Sequence, residues 1–180
     1  MTSPNNGAPN QLRLMVQYMA WANQTMLASV AELPDEEIYR PRQALFGNIA
    51  RTFDHIMAVE DIFRAHLEGR KHQYLIRNSD ECPSFEEIRA KIADLDRYYV
   101  RLTDDLSAAD MDEMVNFEFL NGGRGAMRRT EILLHLVNHA TYHRGFVSDM
   151  LQQIPFNVPP TDFTVFVQRG LPSIESLRFG

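Results

Sequence analysis

The chain has 180 residues, 44% of them hydrophobic and 23% charged, which suits one globular domain spanning 1–180. Its net charge is −6, with two lysines against sixteen arginines, which argues against a nucleic-acid partner. One cysteine, Cys82, excludes an internal disulfide and a cysteine-rich zinc knot, and fits a reducing, cytoplasmic setting.

Residues 1–10 are polar and rich in Pro, Asn and Gly, and read as a disordered lead with no signal-peptide character. No stretch of the chain approaches the roughly 18 uncharged apolar residues of a membrane span. The first helix is predicted from about Gln11 to Ala31. There Leu12, Met15, Met19, Ala22, Met26 and Val30 recur at steps of three and four, with Pro34 as the stop. The second is predicted from about Ala44 to Glu68, on a stripe from Leu45 through Ile49, Thr52, Ile56, Val59 and Phe63 to Leu67. Gly69 suits the left-handed residue that closes it. Residues 69–83 are polar and aperiodic, a loop. Ser84 with Glu87 forms a capping box for a third helix, striped by Ile88, Ile92, Leu95, Tyr99, Leu102 and Leu106.

Val115, Phe117 and Phe119 alternate with polar residues just before the turn signal Asn121-Gly122-Gly123, which predicts a short hairpin. Arg124, Arg128 and Arg129 form a short basic cluster that reads as a solvated approach to the fourth helix. Thr130 is its expected N-cap, and Pro155 follows its end at about Gln153. Residues 156–180 read as a tail packing on the helices, with a short helix from about Thr161 to Gln168. Four helices of about 20–25 residues with short links predict an all-α, antiparallel up-and-down four-helix bundle.

Six histidines stand out, three of them at four-residue steps: His135, His139 and His143. Residues four apart share a helix face, about 5–6 Å between Cβ atoms, so either adjacent pair can bind one ion. The outer pair is about 12 Å apart along the axis and does not. A third ligand therefore comes from another helix. His55, midway along the second helix among apolar residues, is the best candidate. A hydrogen-bonded core histidine is the alternative for any one of these residues alone. His66 and His72, flanked by Arg, Glu, Gly and Lys, read as solvated. The residue after His139 is Ala140, not the glutamate of a zinc-protease helix. No glutamate precedes a histidine by three, as a di-iron bundle requires. Cys82, in a polar loop before Pro83, reads as incidental.

Three ordered segments resemble the DinB family of bacterial proteins: Tyr18-Met-Ala-Trp21-Ala22-Asn23; Asn48 through His55 to Phe63; and His139-Ala-Thr-Tyr-His143-Arg144-Gly145. Pro159-Pro160-Thr161-Asp162-Phe163 resembles the family's tail. The resemblance implies a four-helix bundle with an open metal site on His55, His139 and His143, and a homodimer. It also implies a low-molecular-weight thiol as cosubstrate for transfer to a small electrophile. The family usually has Gln where this chain has Phe146.

Three neutral histidines suit one Zn²⁺ or Ni²⁺. Such an ion prepares a bound thiol as thiolate, or a water for hydrolysis. A non-catalytic bundle, metal-stabilised or sensing, is the rival. Tyr18, Trp21 and Asn48 are expected along the approach, Trp21 being equally suited to core packing. Thr52 and Asn138 are expected to orient ligands. Arg144 is expected to hold an anionic substrate or pair with a surface acid.

Overall fold

Amphipathic periodicity becomes helix here because burying each apolar stripe removes it from water, about 1.5–3 kcal/mol per large aliphatic or aromatic side chain. The computed structural model describes residues 7–170, and they are mostly helical with one small sheet. Four long helices carry the core: α1 (Gly7–Val30), α3 (Ile49–Leu67), α4 (Phe85–Asp105) and α6 (Arg129–Gln152). Both α1 and α3 pack against α4 and α6. Val16 and Met19 of α1, Phe53 and Ile56 of α3, Ile92 and Tyr99 of α4, and Leu136 and Val147 of α6 meet in one continuous core.

Helix α1 begins at Gly7, so 7–10 is helical rather than part of a disordered lead; residues 1–6 lie outside the described residues. Pro34 does not simply stop α1. It precedes α2 (Asp35–Tyr39), a short helix that sequence periodicity is too brief to reveal. Helix α3 starts five residues later than expected. Residues 42–47 close a turn, with the Arg42 amide donating to the Gly47 carbonyl (2.6 Å). Asn48 then caps the helix by accepting from the Arg51 amide at 2.8 Å. Leu45, read as part of the stripe, is 63% exposed. Gly69 does take a left-handed φ, 67°.

The Ser84–Glu87 capping box forms as predicted and opens α4. A second capping box, Ser107–Asp110, opens the short α5 (Ala108–Asp112). The hairpin forms too: β1 (Met114–Glu118) pairs antiparallel with β2 (Arg124–Arg128), Phe117 facing Gly125. A Cβ at Gly125 would stand 2.6 Å from the Phe117 ring, so a side chain there displaces that aromatic group. Phe119 lies past the strand and is exposed. Thr130 is not the cap of α6. It lies inside the helix, and its hydroxyl donates to the Met111 carbonyl. Arg128 takes the cap position, its amide donating to Glu131 at 2.7 Å. Arg128 also pairs with Asp112 (2.9 Å) and Arg129 with Glu113 (2.8 Å).

The tail turns once as α7 (Phe163–Val165) and continues as a π-helical turn to Gly170, in place of the expected Thr161–Gln168 helix. Phe166 is fully buried against Trp21, ring centroids 5.5 Å apart. The part of the expected tail at 171–180 lies outside the described residues. Among the described residues no helix is long and apolar enough to cross a membrane.

Candidate metal centre

His139 and His143 stand one turn apart on α6, and His55 reaches them from the middle of α3. Their ring centroids form a near-equilateral triangle: 4.9 Å (55–139), 4.5 Å (55–143) and 4.4 Å (139–143). One ring nitrogen from each lies within 4.8 Å of the others. His135, one turn back on α6, is 5.6 Å from His139 and outside the three.

The loop after α3 fixes the ring of His55. Asp54, fully buried, accepts from Arg51 Nη1 (3.1 Å), Asn78 Nδ2 (3.0 Å) and the Ser79 amide (3.2 Å). That pins residues 77–79 onto α3 and brings the Arg77 carbonyl against His55 Nδ1 at 2.5 Å. A carbonyl only accepts, so Nδ1 carries the proton and Nε2 the lone pair. That lone pair faces His139 Nε2 at 3.0 Å. Phe46 stacks on the other side of the His55 ring, 4.2 Å away.

Burial shapes the electrostatics. Desolvation lowers the pKa of His55, and the hydrogen bond to Arg77 only partly opposes it. Desolvation, then the charges of His143, His55, His135 and Arg77, pushes His139 down to about 2. Desolvation, His55 and Arg77 push His143 down to about 4. All three imidazoles are therefore neutral near pH 7 and hold lone pairs.

Do these residues fit a divalent ion? Two nitrogens each bound to a tetrahedral zinc stand about 3.3 Å apart. The 3.0 Å between the two Nε2 atoms is close to that spacing. Two lone pairs that near repel unless a proton or a cation lies between them. The donor set is borderline-soft nitrogen, which suits zinc and nickel. The Nδ1 atoms of His139 and His143 are buried without a hydrogen-bond partner among the described residues. The residues fit.

The triad lines a cavity of about 510 Å³, with Asn138, which is exposed, on its wall. The other expected site residues lie elsewhere. Asn48 caps α3 and donates to the Tyr39 carbonyl, and the Thr52 hydroxyl donates to the Asn48 carbonyl (2.8 Å), so both serve the start of α3. Tyr18 donates to the Thr161 carbonyl at 3.0 Å and packs on Phe163, while Trp21 packs on Phe166; both anchor the tail. Arg144 does not pair at the surface; it lies outside the triad cavity and reaches the wall of another, beside Tyr18 and Gly145. It is 2% exposed and donates to Asn23 Oδ1 (2.7 Å) and Thr141 Oγ1 (2.9 Å). His66 and His72 are half-buried rather than solvated, and His66 stacks on Phe117 at 5.2 Å. Cys82 is a free, half-buried thiol whose pKa burial raises, which disfavours the nucleophilic thiolate. Phe146 packs edge-on against Tyr142 (5.0 Å) and lies 5.9 Å from His143, so the neighbour of that histidine is apolar.

Sequence reasoning missed Phe46, Asp54, Arg77 and Asn78. Only Asp54 left a signal: an acid beside His55 on an apolar helix needs partners when buried. The loop residues left none, because their role depends on where the chain returns.

A family model described as DinB family matches residues 1–171 of this chain. Protein DinB of Bacillus subtilis (strain 168) is 26% identical over 158 residues, covering 85% of this chain and 91% of that relative.

Proposed function

The chain belongs to the DinB family, and from that premise we propose that it is a metal-dependent enzyme. His55, His139 and His143 hold one divalent ion, zinc or nickel, and the enzyme transfers a low-molecular-weight thiol to a small electrophile. The observation that carries this reading is the set of three neutral imidazoles aimed at one point, with no fourth protein ligand grouped with them among the described residues. A site closed by four ligands is structural; one with three leaves room for a reactant. The cyclic pairing of α1, α4, α3 and α6 supports a four-helix bundle as the scaffold, with the consecutive long helices α1 and α3 on opposite corners rather than side by side as in the expected up-and-down order. Family resemblance supports a homodimer, and the free Cys82 suits a reducing cytoplasm.

His55, His139 and His143 would hold a zinc or nickel ion, which would supply the positive charge that makes a bound thiol more acidic. The chain's own residues do the rest. His55 is held in one tautomer by the Arg77 carbonyl, so its Nε2 lone pair needs no rearrangement to bind. Phe46, Tyr142 and Phe146 surround His143 with rings, which lowers the local dielectric and keeps the imidazole neutral. In the transfer, the thiol proton leaves to solvent, sulfur bonds to the electrophilic carbon, and the leaving group departs with the electron pair.

The test is reconstitution. The purified chain, dialysed against zinc or nickel, is expected to hold one ion per chain by elemental analysis. Loaded protein is then expected to accelerate consumption of monobromobimane by cysteine over the metal-free protein. One bound ion without thiol-dependent turnover of any electrophile tried would favour a non-catalytic role. Turnover without thiol would favour hydrolysis.

A further inference from the structure

Two chambers meet at His139. One is the triad cavity; the other, of about 620 Å³, lies under the hairpin and is walled by Ile62, Phe63, Phe117 and Met127. Arg77, His135 and His139 line both. Phe63 and Phe117 meet edge to face, ring centroids 5.7 Å apart, a wall suited to a flat apolar group.

Arg77 stands at the seam. Arg51, Arg64, Arg128 and Arg129 each face a carboxylate. Among the described residues the guanidinium of Arg77 has no ion pair, although its backbone is pinned through His55, Asn78 and Ser79. An arginine fork matches a carboxylate in shape and charge. Glu118 is the other charged side chain on these walls, apart from the histidines. It sits at the hairpin end, its Oε1 3.8 Å from where a Gly122 Cβ would lie, and it repels an anion there. The two charges together orient a ligand: negative end at Arg77, apolar body toward the hairpin.

We propose that Arg77 is a specificity-determining residue that selects an amphipathic carboxylate, seating its apolar body in the hairpin chamber beside His139. The reading of the triad as the reaction centre is the ground for calling this ligand a substrate.

The experiment compares 4-phenylbutyrate with its neutral match, 4-phenylbutanamide, by isothermal titration of the full, zinc-free chain, so that no ion can hold the carboxylate. The acid is expected to bind at least tenfold tighter than the amide. Arg77→Gln is expected to abolish that preference with unchanged zinc stoichiometry, and Arg77→Lys to restore part of it. Phe117→Leu is expected to weaken both probes alike. Equal affinity for the two probes, no binding of either, or a preference that survives Arg77→Gln overturns the proposal. A separate zinc titration tells the two readings apart. Discrimination without zinc binding sinks only the metal centre; zinc binding without discrimination sinks only Arg77.

Discussion

The Asn23–Glu60–Asp96–Arg144 cluster and the histidine triad share helices α3 and α6, yet they answer burial in opposite ways. His143 and Arg144 are neighbours, and adjacent helix residues point about 100° apart. One side chain therefore faces the cavity and the other the core. In the core, Asn23 Nδ2 donates to Asp96 Oδ1 (3.0 Å) and Glu60 Oε1 (3.4 Å), and Arg144 donates to Asn23 Oδ1. Burial pushes Glu60 up to about 8 and Asp96 well above its usual range, so protons are retained. In the triad, burial pushes pKa values down and protons are shed. A carboxyl that keeps its proton is a neutral strut between helices. An imidazole that loses its proton is a free lone pair, and three of them meeting make a site.

The largest effect should come from breaking the strut. Arg144→Ala empties a buried volume and strips the donor from Asn23 Oδ1, and is expected to cost about 2–5 kcal/mol in urea unfolding. A loss under about 1 kcal/mol would mean that Arg144 does not brace the core cluster. His139→Ala, by contrast, should leave the metal-free chain nearly as stable while zinc affinity falls by more than about 100-fold, beyond what a supporting residue costs. Unchanged zinc content in that variant would remove His139 from the site.

Asp54→Ala links the two behaviours, because Asp54 is a buried acid that serves the triad. Freeing residues 77–79 takes the carbonyl from His55 Nδ1, and zinc affinity should drop about 10–100-fold. Wild-type affinity would show that the loop does not orient the ring.

The smallest effect is in pH dependence, and the two clusters predict opposite signs. Glu60 rises from 4.5 to about 8, so the folded state holds the extra proton; that stability is full below pH 4.5 and lost as pH rises through 8. His143 falls from 6.5 to about 4, so the unfolded chain takes the proton first; stability is full above pH 6.5 and lost as pH falls toward 4. The metal-free chain should therefore lose urea resistance on both sides of neutrality. Glu60→Gln combined with Asp96→Asn should erase the alkaline loss alone, read from urea midpoints across a pH series. An alkaline loss that persists in that double variant would place its cause outside this cluster.

Helical periodicity, the Ser84–Glu87 cap, the Asn121-Gly122-Gly123 turn and the spacing of His139 and His143 were legible in the chain. Each is written in neighbours within about a turn of one another, where backbone geometry alone sets the distances. The short helices α2 and α5 were not, because five residues carry too little periodicity to register. Arg144 looked like a site residue by its position beside His143. Only the approach of Asn23, Glu60 and Asp96 from three other helices made it a core cation.

The same holds for His55. Local pattern nominated it, but its tautomer and aim come from a loop that Asp54 ties down more than twenty residues away in sequence. Partners that far apart meet only when long-range packing closes the intervening chain, and no local preference encodes that closure.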